Sequence, residues 1–201
     1  SFIIEEKIDG TSILLHYSDG VLERAVTRGN GLIGNDVTAN VSTIQTVPLR
    51  LNAPETLAVR GEIFIRRASF TALNNRIEVP YANARNFAAG SLRRVKSKEV
   101  ARLPLEIFVY EGYLSDPPAT HSTLLIHLRE LGFRINPSTV VIQKHPINNP
   151  TSDRPGEFSA IRTDDALGYI KKRMAERDNL AYDIDGLVLK VDNLLTRELL
   201  G

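Results

Sequence analysis

The sequence predicts an α+β domain built from largely antiparallel sheets, with helices between the strands. Segments that carry unusual charged residues also alternate apolar and polar residues, which is typical of half-buried strands. Asp19-Gly20 joins two such segments, and this dipeptide is a strong hairpin signal because both turn residues need positive φ. Segments of helical periodicity lie between the strands along the chain, which favours the α+β class.

Length and composition fit one globular domain. The chain has 201 residues, a formal net charge of +1 and no cysteine. This overall charge does not indicate whether nucleic acid is bound, and only a local basic cluster could do so. The lack of cysteine excludes disulfides and cysteine-ligated zinc. We expect a cytoplasmic protein without membrane contact, because no apolar run could span a bilayer and no signal peptide opens the chain.

The first half of the chain is predicted to form most of the strands. Lys7 ends a strand that leads into the hairpin. Residues 56–67 alternate as a further strand, and a short helix is expected over residues 67–76. Residues 85–95 have helical character, which we expect Gly90 to interrupt.

The second half is predicted to alternate between strands and helices. Strands are predicted over residues 105–114 and 182–192, and helices over residues 122–133 and 163–180. Gly132 is expected to end the first of these helices, and Thr163 could cap the start of the second. Residues 136–158 contain several prolines and little periodicity past Ile142, so we expect a surface loop or insertion there.

Charged residues interrupt three of the predicted strands. A charge inside a buried strand is costly unless it meets a partner. We therefore expect the sheets to bring these residues together in one cleft. They are Lys7 and Asp9, Arg60 and Glu62, and Asp185 and Lys190.

Lys7 has two interpretations at this stage. It could be a solvated lysine paired with carboxylates of its own segment, "EEKIDG". It could instead be a nucleophile, which requires a neutral amine and therefore a lowered pKa. Because carboxylates alone stabilise the charged amine, that lowering would have to come from distant cations such as Lys190 and Arg28.

Arginines in two further segments could bind phosphate. Arg28 lies in a glycine-rich loop, and Arg85 and Arg93 lie in the basic segment "YANARNFAAGSLRRVKSK". Planar guanidinium groups suit bidentate phosphate contacts, although such segments are also found as turns and solvated helix faces. Tyr110 could stack on a base or simply pack. The four histidines have no metal-ligand spacing and are interpreted as structural or surface residues.

Six segments, taken in order, resemble the nucleotidyltransferase domain of bacterial-type NAD-dependent DNA ligases. They are "EEKIDG", "TRGNGLIGNDVTANVSTIQTVPLRL", "VRGEIFI", "YANARNFAAGSLRR", "FVYEG" and "YDIDGLVLKV". The fourth is the most diagnostic, because ATP-dependent ligases and capping enzymes lack it. The resemblance implies an ATP-grasp-like nucleotidyltransferase fold of largely antiparallel sheets flanked by helices, with the active site in the cleft between them. It also implies that residues 1–201 are this adenylation domain, truncated at both ends.

The resemblance implies a DNA-sealing activity in replication and repair. Lys7 would attack the adenylate phosphorus of NAD, release nicotinamide mononucleotide and pass AMP to the 5′-phosphate of a nick in double-stranded DNA. Magnesium would neutralise phosphate charge, and zinc is expected only in a C-terminal region that this chain lacks. We expect a monomer. This chain alone should bind AMP or adenosine weakly and should not seal nicks.

Residue roles follow from the same resemblance. Lys7 and Asp9 would be catalytic. Nucleotide-binding roles fall to Glu5, Arg28, Glu62, Tyr110, Asp185 and Lys190. Within that set, Glu5 and Tyr110 would meet the adenine, Arg28 and Glu62 the ribose, and Lys190 the AMP and its phosphate. Arg85 and Arg93 would contact DNA or phosphate, whereas Glu6 would face away as an ordinary solvated carboxylate.

The chain also departs from the family pattern. Asn30 and Asn35 stand where the family usually has carboxylates, and Ala84 stands where it has proline. The family's last lysine-bearing motif lies beyond the end of this sequence. Two alternatives therefore stay open. One is an ATP-dependent polynucleotide ligase or capping-type enzyme, and the other is a non-catalytic nucleic-acid-binding module.

Overall fold

Two four-stranded sheets and seven α-helices form the described part of the chain, which a computed structural model gives as residues 1–29, 34–144 and 157–200. The strands are β1 Phe2–Ile8, β2 Thr11–Ser18, β3 Val21–Thr27, β4 Leu57–Ile65, β5 Leu105–Tyr113, β6 Val140–Gln143, β7 Ser159–Arg162 and β8 Ile184–Val191. The helices are α1 Thr38–Val41, α2 Arg67–Asn74, α3 Ala84–Leu92, α4 Ser97–Val100, α5 His121–Glu130, α6 Ala166–Ala175 and α7 Leu194–Leu200. The predicted α+β class is confirmed.

The two sheets draw on the chain in different ways. One continuous segment supplies the sheet ordered β3-β2-β4-β5. The other sheet, ordered β7-β6-β1-β8, joins the first strand to strands from the end of the chain. All pairings are antiparallel except that of β6 with β7. The prediction of largely antiparallel sheets is therefore confirmed.

The β2–β3 hairpin forms as the sequence predicts. Asp19 and Gly20 both have positive φ, at 48° and 73°, and Ser18 pairs with Val21 across the turn. A side chain on Gly20 would also meet the carbonyl oxygen of Ala53 at 2.7 Å. Turn geometry and close packing both require glycine at this position.

The main hydrophobic core lies where the helices cover the β3-β2-β4-β5 sheet. Helix α3 packs against β4 and α5 packs against β5. Ile63, Ile107, Phe87 and Leu125 are fully buried within it. Burying each such side chain stabilises the folded state by about 1.5–3 kcal/mol. This packing positions α3, which contributes to the wall of the pocket described below.

Two helix predictions were wrong in detail. Gly90 does not interrupt α3, which runs continuously from Ala84 to Leu92. A side chain at Gly90 would meet the Tyr81 ring at 2.6 Å, so the glycine allows close packing instead. Thr163 does not cap a long helix either. Residues 163–165 form a 3₁₀ turn, and α6 begins only at Ala166.

The predicted surface loop over residues 136–158 was wrong at its start. Val140–Gln143 forms strand β6, which lies between β7 and β1 inside a sheet. Val140, Val141 and Ile142 are buried. This short apolar run is too brief to show a clear period, which is why the prolines around it dominated the prediction. Residues 145–156 of that segment lie outside the described residues.

In the described residues, no helix is both long enough and apolar enough to cross a membrane.

Candidate functional site

A pocket of about 570 Å³ lies where residues from both sheets face each other. Strands β1, β2, β4, β5 and β8 and helix α3 all contribute to its wall. The predicted site residues that line it are Glu5, Lys7, Arg28, Glu62, Arg85, Tyr110, Asp185 and Lys190. The structure thus brings together the three pairs of strand charges, apart from Asp9, which lies at the pocket edge.

Lys7 extends from β1 at the point where that strand pairs with β8. It lies opposite Gly186, and the register shifts between Lys7 and Ile8. Its Nζ is 2.5 Å from Asp185 Oδ2, and 56% of the side chain is exposed. The amine is therefore accessible from the pocket but held by a carboxylate.

Arg85 and Asp9 form the next ion pair along the rim. Arg85 Nη1 lies 3.3 Å from Asp9 Oδ1. Arg85 is placed there by the start of α3, where the Asn83 side chain accepts a hydrogen bond from the backbone of Asn86 at 2.8 Å. Ala84 is the first residue of this helix. Proline is also common at the first position of a helix, so alanine and proline both suit this position.

Glu62 is the acid with the most unusual protonation. Burial raises its pKa to about 7, although Arg85 and Lys7 act in the opposite direction. Near neutral pH this carboxyl can therefore both donate and accept a hydrogen bond. Glu62 lines the pocket beside Lys7, where a polar ligand could use either property.

Glu5 and Lys190 form a buried ion pair at the opposite side of the pocket. Glu5 is 5% exposed, and its Oε2 lies 2.5 Å from Lys190 Nζ. Burial alone would raise the pKa of Glu5, but His121 and Lys190 together hold it below its usual range. Lys190 also donates a hydrogen bond to the backbone oxygen of Tyr110 at 3.3 Å.

Tyr110 forms an aromatic wall next to this pair. Lys190 Nζ lies 5.5 Å from the centre of its ring. The Tyr110 hydroxyl lies 3.2 Å from Ser12 Oγ, and burial raises the pKa of the phenol. The neutral ring is thus held at both ends, and its position suits stacking on a planar ligand.

His121 is a site residue that the sequence analysis missed. It is fully buried, and its Nε2 lies 3.1 Å from Glu5 Oε2. The interpretation of all four histidines as structural or surface residues was therefore incomplete. A signal was present, because His121 shares the apolar face of α5 with Leu124, Leu125 and Leu128. A histidine on a buried helix face needs polar partners.

Glu6 was expected to be a solvated carboxylate, and this was wrong. It is 6% exposed and accepts hydrogen bonds from Arg173 Nε at 2.6 Å and the Tyr182 hydroxyl at 2.7 Å. Asn136 Nδ2 also donates to it at 2.8 Å. Successive side chains of a strand point to opposite faces, so Glu6 anchors β1 from the face opposite Lys7.

Two predicted phosphate contacts are placed less centrally. Arg28 is exposed and lines the pocket. Arg93 is exposed and lies outside the pocket, with its Nε donating to Ala89 O at 3.3 Å. Asn35 is exposed, and its backbone pairs with Thr27. Asn30 lies outside the described residues.

The described residues form an α+β domain whose pocket places lysines, arginines and carboxyl groups around the Tyr110 ring. The sequence model of the NAD-dependent DNA ligase adenylation domain matches residues 1–201, which is the whole chain. The chain belongs to this family.

Individual relatives agree with this assignment. The chain is 44% identical to a DNA ligase of Borrelia hermsii over 201 residues and 43% identical to one of Borreliella burgdorferi over 199 residues. Both alignments cover 98% of this chain. A DNA ligase of Marinobacter nauticus is 40% identical over 210 residues, which cover the whole chain. The chain spans 28% of the length of each of these three relatives.

Proposed function

We propose that the pocket is the active-site cleft of an ATP-grasp-like nucleotidyltransferase domain comprising residues 1–201, and that Lys7 is its nucleophile. The observation that carries this proposal is the position of Lys7 Nζ, which is accessible in a pocket shared with Lys190, Arg85 and Glu62. The family match supports NAD as the adenylate donor. The nitrogen of Lys7 forms a bond to the adenylate phosphorus, and the bond from that phosphorus to nicotinamide mononucleotide breaks.

The wall around Tyr110 would hold the base. Glu5 accepts a hydrogen bond from the adenine, and Tyr110 stacks on its face. Lys190 contacts the AMP and its phosphate, where its positive charge stabilises the negative charge that develops during transfer. Support comes from the short distances that link Glu5, Lys190 and Tyr110 in one group.

A second group of pocket residues would hold the ribose and the phosphates. Glu62 and Arg28 contact the ribose, and Asp185 keeps Lys7 at the cleft until the nucleotide enters. The described residues contain no group of three or more histidine or acidic side chains that could hold a metal by itself. Magnesium would therefore bind mainly through phosphate oxygens, with Glu62 or Asp185 as neighbouring oxygen ligands, and would neutralise phosphate charge.

Later steps belong to the whole protein, of which this chain is proposed to be the adenylate-binding core. AMP passes from Lys7 to the 5′-phosphate of a nick, and the 3′-hydroxyl then displaces AMP to seal the strand. Arg85 and Arg93 contact DNA or phosphate in these steps. The exposure of Arg93 outside the pocket suits a ligand as large as duplex DNA. We propose that the protein acts as a monomer.

Adenylation of the whole protein tests this proposal directly. Incubation with NAD should add one adenylate to the intact mass, and incubation with ATP should not. Lys7→Ala should abolish the added mass, whereas Lys98→Ala, at an exposed position on α4, should retain it. Adenylation from ATP would favour an ATP-dependent enzyme. Nick sealing that persists in Lys7→Ala would rule out the proposed role of Lys7.

A further inference from the structure

His121 lies between two carboxylates behind the nucleotide pocket. Its Nε2 is 3.1 Å from Glu5 Oε2, and its Nδ1 is 3.6 Å from Glu111 Oε1. The ring is fully buried, so it exchanges no hydrogen bonds with solvent. Nδ1 has no hydrogen-bond partner among the described residues, and Glu111 lies just beyond hydrogen-bond range of it. The charged imidazolium carries a proton on both nitrogens and is attracted to both carboxylates.

The charged groups around this ring come from four elements. Glu5 approaches from β1, Glu111 from β5, and Lys190 from β8, with Lys190 Nζ 3.3 Å from Nε2. Arg197 of α7 faces Glu111 at 3.4 Å. Burial lowers the pKa of His121, but its contacts with Glu111 and Glu5 outweigh this effect and raise the pKa above its usual value. Lys190, like burial, lowers the pKa of His121.

Glu5 is therefore shared between two cations. Lys190 and His121 both meet its Oε2 atom. A side chain that is held at one oxygen by partners on two separate elements has little rotational freedom left. Both Glu5 and Lys190 line the pocket, whereas His121 does not. Glu111, the other carboxylate that faces His121, lines the pocket too, so any effect of His121 on a bound nucleotide must act through Glu5, Lys190 or Glu111.

We propose that His121 is a positioning residue that, as a cation, fixes Glu5 and Lys190 in the arrangement that receives the base of the nucleotide. This inference rests on the proposed function and extends it. His121 makes no contact with the nucleotide itself. Its charge keeps Glu5 an acceptor and sets the distance between Glu5 and Lys190.

Two substitutions of His121 in the whole protein distinguish the roles of its two ring nitrogens. The amide nitrogen of His121→Gln can reach the position of Nε2 and still donate to Glu5, whereas the shorter His121→Asn cannot. AMP affinity measured calorimetrically at pH 6.5 should fall about 10-fold in His121→Asn and only about 3-fold in His121→Gln. His127→Asn is the matched control, since His127 lies on the same helix and pairs with Glu55 at 3.0 Å away from the pocket.

The dependence on pH distinguishes a charged His121 from a merely structural one. The advantage of wild type over His121→Gln should be greatest at low pH and should disappear as the pH rises through the raised pKa of His121. The ratio of the two AMP affinities, wild type over His121→Gln, is taken at each pH. Glu62 titrates in both proteins, so its effect cancels in this ratio. Glu111→Gln should shift the decline to lower pH, because it removes a carboxylate that favours the cation. This shift can also be followed in the NMR signals of the His121 ring.

The outcomes separate the two proposals. If wild type forms the Lys7 adenylate but His121→Asn binds AMP as well as His127→Asn does, the role of His121 is refuted and the proposed function stands. Parallel pH profiles for wild type and His121→Gln would refute it as well. If wild type neither binds AMP nor becomes adenylated, both proposals fail. Should His121→Asn not fold, the profiles of His121→Gln and Glu111→Gln decide the question.

Discussion

Glu6 shows how a residue next to the proposed nucleophile can serve stability alone. Its carboxylate is buried and receives hydrogen bonds from Arg173, Tyr182 and Asn136. Removing the Glu6 carboxylate leaves the guanidinium of Arg173 and two neutral donors without their acceptor. The Glu6 carboxylate therefore ties β1 to α6 through Arg173.

We predict that Glu6→Ala lowers the free energy of unfolding by about 3–5 kcal/mol, the usual cost of breaking a buried ion pair. Urea unfolding followed by circular dichroism measures this. Glu23→Ala, at an exposed position on β3, should change the value by less than about 0.5 kcal/mol. A loss in Glu6→Ala as small as that of the control would contradict the prediction.

Glu62 should make stability depend on pH in the opposite sense to an ordinary ion-paired carboxylate. Its pKa is about 7 in the folded chain and 4.5 in the unfolded reference. Between these values the folded chain binds more protons than the unfolded chain, so the free energy of unfolding falls as the pH rises. Above pH 7 the penalty of a buried charge is present in full.

Glu62→Gln should remove this penalty. We expect the variant to exceed wild type in stability by about 1–3 kcal/mol at pH 8 and to lose this advantage below pH 5. Thermal unfolding across this range measures the difference. Glu78→Gln, at an exposed site, should follow the wild-type profile. A constant offset between Glu62→Gln and wild type at every pH would disprove the linkage.

Single residues were predictable where their role depends on local sequence. Lys7 and Asp185 were expected in one pocket because charges in apolar strands need partners, and the structure places them 2.5 Å apart. The burial of Glu6 was not predictable in this way. Its partner Arg173 lies on helix α6 and not inside an apolar strand, so the sequence gives no sign that this arginine needs a buried partner. His121 was missed because a lone histidine has no metal-ligand spacing to mark it. Its position on the apolar face of α5 was a signal that it is buried.

At the scale of elements, two helical glycines provide a matched comparison. Gly90 of α3 faces the Tyr81 ring, which Asn74 holds through hydrogen bonds of 2.8 and 2.9 Å to the Tyr81 backbone. Gly168 of α6 has no atom within 4 Å of the place where a side chain would begin. Alanine at either position improves the helix, but only at Gly90 does it collide.

We predict opposite effects of alanine at these two sites. Gly168→Ala should stabilise the protein by about 0.5–1 kcal/mol through helix propensity. Gly90→Ala should destabilise it by about 1–2 kcal/mol, because overpacking exceeds that gain. Chemical unfolding of both variants tests this, and a Tyr81→Ala background should remove the penalty at Gly90. Stabilisation by Gly90→Ala in the native background would show that the ring yields.

Elements with strong periodicity were predicted well, and short or interrupted ones were not. The β2–β3 hairpin and helix α5 follow from turn chemistry and an apolar stripe. Strand β6 has only four residues and lies between β7 and β1, so its burial depends on neighbours that local sequence does not reveal. Helix α6 is shorter than predicted because the segment before it closes as a 3₁₀ turn.

For the whole molecule, a bound nucleotide should act as a bridge between the two sheets. Glu5 and Lys190 belong to one sheet, while Glu62 and Tyr110 belong to the other. AMP at a hundred times its Kd should raise the free energy of unfolding by about 2.7 kcal/mol, because only the folded protein binds it. A thermal shift that increases with AMP concentration measures this. Lys190→Ala should lose the shift and exposed Lys171→Ala should keep it; an equal shift in both would place AMP elsewhere.

The pairing of β1 with β6 and β8 also has a consequence for the order in which the chain is made. Strands β2 to β5 can pair as soon as residues 11–113 have left the ribosome, but Lys7 and Asp185 are 178 residues apart. At 5–20 residues per second, β1 waits on the order of ten seconds for its partners. The proposed adenylation of Lys7 would therefore require synthesis to have passed β8, because Asp185 and Lys190 of the pocket come from that strand.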